Sequence, residues 1–206
     1  MRNEQEKFWE TKYSKDYIKK NSNFNHDLLI QGWREILKNV SSPRNILECG
    51  ANIGRNIEAL NHIYPQAAKT AIEISADASK ILRHRYSDVK VINCSILESE
   101  IEIESFELSF TMGVLIHIHP NDLKQNLEKV ILSSNRYVVI GEYFNRTPVS
   151  LTYQGEEEKL FKRDFGKFAL ENFSDKIELI DYGFLWGYLY DEGGFDDITW
   201  WVFERK

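Results

Sequence analysis

The sequence predicts an α/β fold: a mostly parallel sheet of seven strands, helices on both faces, and a helical N-terminal extension. Three observations carry this. Short β-rich apolar runs alternate with helical patterns from residue 45 onward, which is the signature of βαβ units. The first run leads through a glycine-containing turn into a helix. The last two runs are joined by a loop with no helical pattern, so they form a terminal antiparallel hairpin rather than another crossover.

The elements follow in order. Phe8, Trp9, Tyr13, Tyr17 and Ile18 recur at steps of about four within residues 2–20, a helical stripe. Asn23 or Asn25 caps a second helix carrying Leu28, Leu29, Trp33, Ile36 and Leu37, which Ser41-Ser42-Pro43 closes. Strands are expected over 45–49, 69–74, 89–93, 106–112 and 135–143, with helices over 54–63, 76–85 and 121–133 between them. Glu156-Glu157-Glu158 opens a further helical stretch holding Lys159, Lys162 and Arg163. The final strands are 177–184 and 198–204. No repeat or Pro/Gly/Ser linker divides the chain. One domain is expected over 1–206, with 1–40 as extension or lid and 44–206 as core.

Composition narrows the function. A net charge of −6 argues against nonspecific nucleic-acid or anionic-membrane binding, which needs a basic surface. No apolar run reaches the roughly 18 residues of a membrane span, and the charged N-terminus has no signal-peptide core. Cys49 and Cys94 sit in apolar stretches with no second metal-type ligand nearby, so no metal site is expected. A cytoplasmic protein with free thiols is the expectation.

The most informative segment is Ile46 to Leu60. Its strand ends in Glu48, and a turn with Gly50, Asn52 and Gly54 leads into a helix. Gly50 suits a tight turn and Gly54 a close helix–strand approach. Asn52 replaces the middle glycine of a dinucleotide fingerprint and would crowd a pyrophosphate. A ligand without phosphates fits better. The loop's N–H groups suit a carboxylate and Glu48 suits an ammonium, so an amino-acid zwitterion answers both. Glu73 follows nineteen residues after Gly54, placed for two ribose hydroxyls. Asn93-Cys94-Ser95-Ile96 ends the third strand, where an adenine edge would lie. Methionine, ribose and adenine make S-adenosylmethionine.

With these residues in view, the chain resembles a class I S-adenosylmethionine-dependent methyltransferase, whose fold is Rossmann-like. Within that superfamily it is similar to the pseudaminic acid biosynthesis-associated methylases. The resemblance runs over nearly the whole chain: FWETKYSKDYI, ILECGANIGRN, INCSILE, TMGVLIHIHP, EYFNRTPV, YQGEEEKLFKRDFG, DYGF and DDITWWVFE. It implies that Glu48, Gly50, Asn52 and Gly54 hold the methionyl part, Glu73 the ribose, Ser95 and Ile96 the adenine, and Met112-Gly113-Val114 the floor below the sulfonium, with Ile74 a further cofactor contact. Tyr13 or Tyr17 of the N-terminal stripe is the candidate donor to the cofactor carboxylate, and plain packing is the other reading of that stripe. Two stretches depart from the family pattern: Tyr153-Gln154-Gly155 stands in place of Tyr-Arg-Gly, and Leu185–Glu192 does not match.

Candidate catalytic groups follow the fourth and fifth strands. His117 and His119 fall on one side of an extended segment, at strand C-termini where open α/β sheets build their crevice. One of them is expected to remove a proton from the methyl acceptor, with a rate rising through a group near neutrality. The other reading has one histidine only capping the helix after Pro120. Glu142 is the alternative base. Tyr143, Tyr153, Lys162 and Arg163 are candidate substrate contacts. The expected activity is methyl transfer, O-methylation favoured, to a small polar metabolite such as a sugar acid or sugar-nucleotide intermediate. A noncatalytic S-adenosylmethionine or S-adenosylhomocysteine binder, and an enzyme cleaving the cofactor without an acceptor, are the alternatives.

Overall fold

The computed structural model describes residues 4–12, 18, 23–153 and 156–206. Its main sheet has seven strands: β1 (Asn45–Cys49), β2 (Ala68–Ile72), β3 (Lys90–Ile92), β4 (Phe106–Met112), β5 (Ser134–Glu142), β8 (Ile177–Leu185) and β9 (Ile198–Arg205). They lie in the order β3-β2-β1-β4-β5-β9-β8. β1 pairs in parallel with both β2 and β4, so the order reverses at β1 and a crevice opens past the C-termini of β1 and β4. β9 inserts antiparallel between β5 and β8. The expected terminal hairpin is thus present, with its second strand the inner one.

Helices are α1 (Glu4–Lys7), which continues into a π-helical turn (Phe8–Lys12), then α2 (His26–Ile36), α3 (Arg55–Ile63), α4 (Ala76–Arg85), α5 (Pro120–Ser133), α6 (Phe165–Phe173) and the one-turn α7 (Gly187–Tyr190). Their starts follow local chemistry. Asn25 accepts from Asp27 and Leu28 N–H to cap α2, Ser75 caps α4 and Asp164 caps α6. Alternation along β9 sends Trp200 to one face and Trp201 to the other. Trp200 joins Trp33, Ile36, Phe110 and Phe195 in one core layer, and Trp201 joins Leu127, Phe165, Phe173 and Phe203 in the second.

Two expectations are corrected. The Glu156–Lys162 segment is a strand, β7, not a helix, and it pairs antiparallel with β6 (Val149–Tyr153) in a separate two-stranded sheet. Its acidic and basic residues are spaced as helical ion pairs would be. What decides is that β7 buries Leu160 and Phe161 beside the 3₁₀ turn after β4. The loop after β8 does contain a helix, α7, followed by a 3₁₀ turn, Asp191–Gly193. No helix among the described residues is long and apolar enough to cross a membrane.

Candidate active site

A single cavity occupies the crevice. Its wall includes the loop from Gly50 to Ile53, then Arg55, Asn56, Glu73, Ile74, Ser95, Ile96, Met112 and Gly113, and closes with His117, His119, Asp122, Gln5 and Trp9. Eleven residues proposed from sequence therefore share one surface: Gly50, Asn52, Glu73, Ile74, Ser95, Ile96, Met112, Gly113, Val114, His117 and His119.

The loop geometry has local causes. Gly50 (φ 83°) and Gly54 (φ 84°) are left-handed, and neither has room for a side chain. A Cβ on Gly50 would stand 2.5 Å from a Val114 methyl, and one on Gly54 would stand 2.7 Å from the Tyr86 ring. Asn52 (φ 48°) adopts the left-handed region that asparagine tolerates. Its backbone N–H donates to Glu73 Oε2 at 2.7 Å, while Ser75 N–H donates to Glu73 Oε1 at 2.7 Å. Asn93 Nδ2 donates to the Glu73 and Ile74 carbonyls. The carboxylate at the end of β2 is thereby fixed beside the glycine loop. Burial raises its pKa, and the N–H groups oppose that shift.

Asn52 Oδ1 is buried with no hydrogen-bond partner among the described residues. Asn52 lines the cavity, and a buried orphan acceptor is costly unless a donor meets it. Glycine also tolerates a positive φ, so Asn52→Gly isolates the side chain. We expect the variant to keep its melting temperature while S-adenosylhomocysteine binding weakens about tenfold, one hydrogen bond's worth. Unchanged affinity by calorimetry would show that the amide is only tolerated.

Glu48 does not line the cavity. It lies under the loop, 1% exposed, and its Oε1 accepts from Asn56 Nδ2 at 2.7 Å. Asn56 Oδ1 in turn accepts from Trp33 Nε1 at 3.1 Å. The indole can only donate, so it fixes the Asn56 amide orientation. Burial pushes the Glu48 carboxyl up to about 8, and the Asn56 hydrogen bond opposes this. A raised folded-state pKa means that the folded protein binds more protons than the unfolded chain between pH 4.5 and 8. Stability from this group is full below about pH 4.5 and lost as pH rises through 8. Glu48→Gln retains an acceptor for Asn56 and removes the titration. The wild type should lose a few kcal/mol more than the variant between pH 5 and 8.5 in urea denaturation. Parallel pH profiles would refute this.

Gly54 also stays outside the wall, as the residue preceding α3. Glu142 is the largest correction. It is fully buried, and its two oxygens accept from the N–H groups of Val114 (3.1 Å), Leu115 (2.9 Å) and Ile116 (3.3 Å). It pins the 3₁₀ turn Leu115–His117 and does not face the crevice as a base. Burial pushes its pKa up to about 7 against those three donors.

The two histidines play different parts. His119 precedes α5, and its Nδ1 accepts from Asn121 N–H at 3.3 Å, the capping role foreseen for one of the pair. His117 Nδ1 lies 3.2 Å from the Lys159 carbonyl, and Trp9 lies against its ring at 4.0 Å between centroids. Burial pushes the His117 pKa down to about 4, so it does not titrate near neutrality as expected from sequence. Gln5 Nε2 donates to the carbonyls of His117 (2.7 Å) and Lys159 (3.3 Å).

Tyr143, Lys162 and Arg163 stand off the cavity wall. Tyr143 Oη donates to Asp196, the Lys162 ammonium sits 4.9 Å from the Tyr143 ring centroid, and Arg163 lies over Phe168. Tyr17 and the side chain of Tyr153 lie outside the described residues. Sequence reading missed Arg55, Asn56, Gln5, Trp9, Asp122 and Asn126. The position of Arg55-Asn56 directly after Gly54 was a usable signal, as was the i,i+4 spacing of Asp122 and Asn126 after Pro120. Among the described residues no group of three His, Cys, Asp or Glu side chains gathers as a metal site would need.

Comparison with known proteins matches this architecture. Residues 46–132 match the family model of a methyltransferase domain. No curated protein sequence matches the chain. Among solved structures, it is similar to a SAM-dependent methyltransferase from Leishmania major (16% identity, 98% of this chain and 81% of that one, TM-score 0.70). It is also similar to the Burkholderia thailandensis 1,6-didemethyltoxoflavin-N1-methyltransferase with bound 1,6-didemethyltoxoflavin and S-adenosylhomocysteine (12%, 88% and 80%, TM-score 0.67). The cyclase SpnF has the same fold (9%, 98% and 94%, TM-score 0.67). At these identities the likeness is one of fold. The seven-stranded order with β9 reversed, together with the methyltransferase-domain match over residues 46–132, gives this chain the Rossmann-like class I methyltransferase fold.

Proposed function

We propose that this chain is a cytoplasmic S-adenosylmethionine-dependent methyltransferase acting on a small polar metabolite, with a sugar acid or sugar-nucleotide intermediate as the first class to test. The observation that carries the reading is the cavity itself. A left-handed glycine loop, a backbone-anchored Glu73 and the Ser95-Ile96 edge follow one another along the ends of β1, β2 and β3. The residues fit the cofactor's three parts. The orphan Asn52 Oδ1 suits an ammonium, Arg55 a carboxylate, Glu73 two ribose hydroxyls, and Ile96 the face of a purine.

When bound, S-adenosylmethionine supplies a methyl group activated on sulfonium. What this chain supplies is position, because displacement at a methyl carbon depends on alignment of the nucleophile. Met112 and Gly113 form the floor, and Glu142 holds the turn that carries His117. Gln5 and Trp9 close the wall from the N-terminal helix, which acts as a lid by excluding water. His117 holds the acceptor's O–H or N–H by a hydrogen bond, with O-methylation the favoured outcome.

The test is calorimetry with S-adenosylhomocysteine, followed by a mass-shift screen of small metabolites with S-adenosylmethionine. Binding plus a product heavier by one methylene supports the reading. Binding with no product from any acceptor supports a sensor or scaffold. Release of methylthioadenosine without an acceptor supports a cleaving enzyme.

A further inference from the structure

The outer edge of the main sheet carries a row of bare aromatic side chains, well away from the glycine loop. Alternation along β8 sends Tyr182 and Phe184 to one face. Trp186, still extended at φ −76° and ψ 119°, continues the row past the strand's end. Tyr188 of α7 then stacks on Trp186 with ring centroids 4.8 Å apart. These four residues are between 51% and 79% exposed, and Leu189 beside them is exposed too. We propose that this row is a self-association surface, on which a second copy of the chain seats its own row to form a two-fold dimer.

The fold explains why the row is bare. On this face α6 packs over β9, where Gly166 lies against the Trp201 indole, and Ile177 and Leu179 of early β8 join the same core layer. Tyr182 is the cross-strand neighbour of Trp201, one strand further out, and stays exposed. The opposite face of β8 is filled, with the Trp200 ring over Gly183 and Leu185 buried. The row is also held in place. Gly187 N–H donates to Asp197 Oδ1 at 2.9 Å, and Asn25 N–H donates to the Glu192 carbonyl, tying the α7 segment to the start of α2. Size and chemistry select a second copy as the occupant. At 150–250 Å² per aromatic side chain, the exposed part of the row with Leu189 amounts to roughly 600 Å². That is about the area per partner at which specific interfaces begin, so two rows face to face make a whole interface. A straight apolar row complements itself under a two-fold axis. It holds no charge for closure to bury, because Asp181 alternates to the other face and accepts from Asn39. Strand addition at the edge is less suited: the register shifts at Ile180, and Asp181 Oδ1 takes the Tyr182 N–H at 2.8 Å. Each copy carries a net charge of −6, and Asp191 and Glu192 follow α7, so like-charge repulsion opposes the dimer and salt relieves it.

The experiment is sedimentation velocity on the full-length chain over a range of about 1 to 200 µM. Monomer should pass into dimer within that range, and raising NaCl from about 0.05 to 0.5 M should strengthen the association. The double variant Phe184→Lys, Tyr188→Lys alters the row at both halves of the dimer and should weaken association by about 100-fold or more, leaving monomer throughout. Both residues are more than half exposed, so its melting temperature should match wild type. Ile103→Lys, at an equally exposed apolar position before β4, should dimerise like wild type. A wild type that stays monomeric at about 200 µM overturns the proposal, as does a dimer that survives the double variant or dissociates in salt. A monomer that cosediments with phosphatidylcholine vesicles assigns the row to a lipid surface and overturns it equally. None of these readings depends on the cofactor.

Discussion

Glu73→Ala should weaken S-adenosylhomocysteine binding by about 100-fold or more, because two hydrogen bonds to a charged acceptor are lost at once, together worth about 3 kcal/mol or more. The same change strands two backbone donors. Asn52 N–H and Ser75 N–H now end on the Glu73 carboxylate at 2.7 Å each. Without it they lose partners in a crowded loop, and unfolding stability should fall by about 1–3 kcal/mol for each donor that water does not reach. Glu73→Gln separates the two effects. Its single carbonyl oxygen keeps one of the two bonds and its amide group repels the other donor, so it should fall between wild type and alanine in both measurements. Calorimetry and urea denaturation on the three proteins check this. An alanine variant that binds like wild type would move the ribose elsewhere in the cavity.

What made this position legible was its distance from the glycine loop. A βαβ unit has nearly fixed length, so the acid at the end of β2 is placed by counting residues. Gly50 was legible as a tight turn and Gly54 as a close approach, and both take left-handed backbone with no room for a Cβ. The parallel strands and the terminal antiparallel pair were legible because consecutive strands alternated with helices until the last pair. These are local or near-local signals, and the structure agrees with them.

The misreadings share a different cause. Glu142 ends β5 as expected, but strand position does not say whether its carboxylate turns toward the crevice or under the neighbouring loop. Three backbone N–H groups from Val114 to Ile116 settle that, and they belong to a turn some 27 residues away. Lys159 and Lys162 read as helical because charges at i,i+3 fit a helix. Pairing with β6 and burial of Leu160 and Phe161 outweigh that weak preference. Trp9 was seen only as a member of an aromatic N-terminal stripe and Gln5 was not singled out, since nothing in residues 2–20 announces a bond to a carbonyl more than a hundred residues on. Glu48 is intermediate: the residue was singled out, but its partner is Asn56, held by Trp33 from α2.

His117→Ala should lower turnover of the identified acceptor by about 10²–10⁴-fold while S-adenosylhomocysteine affinity changes little. The affinity expectation follows from placement, since His117 lies past β4 and the loop, Glu73 and Ser95 lie at β1 to β3. The pH profile distinguishes the roles of His117 and Glu142. With its pKa pushed down to about 4, His117 is neutral throughout pH 5.5 to 9, so it contributes no inflection there. Glu142, pushed up to about 7, does titrate in that window. Its ionised form accepts more strongly from Val114, Leu115 and Ile116, so the turn bearing His117 tightens as pH rises. Wild-type activity should therefore rise through about pH 7, and the residual activity of His117→Ala, which has no imidazole for the turn to place, should be flat. Glu142→Gln should show a flat profile, because it does not titrate. A profile that keeps its rise in Glu142→Gln but loses it in His117→Ala would reverse the assignment and make the histidine the titrating base.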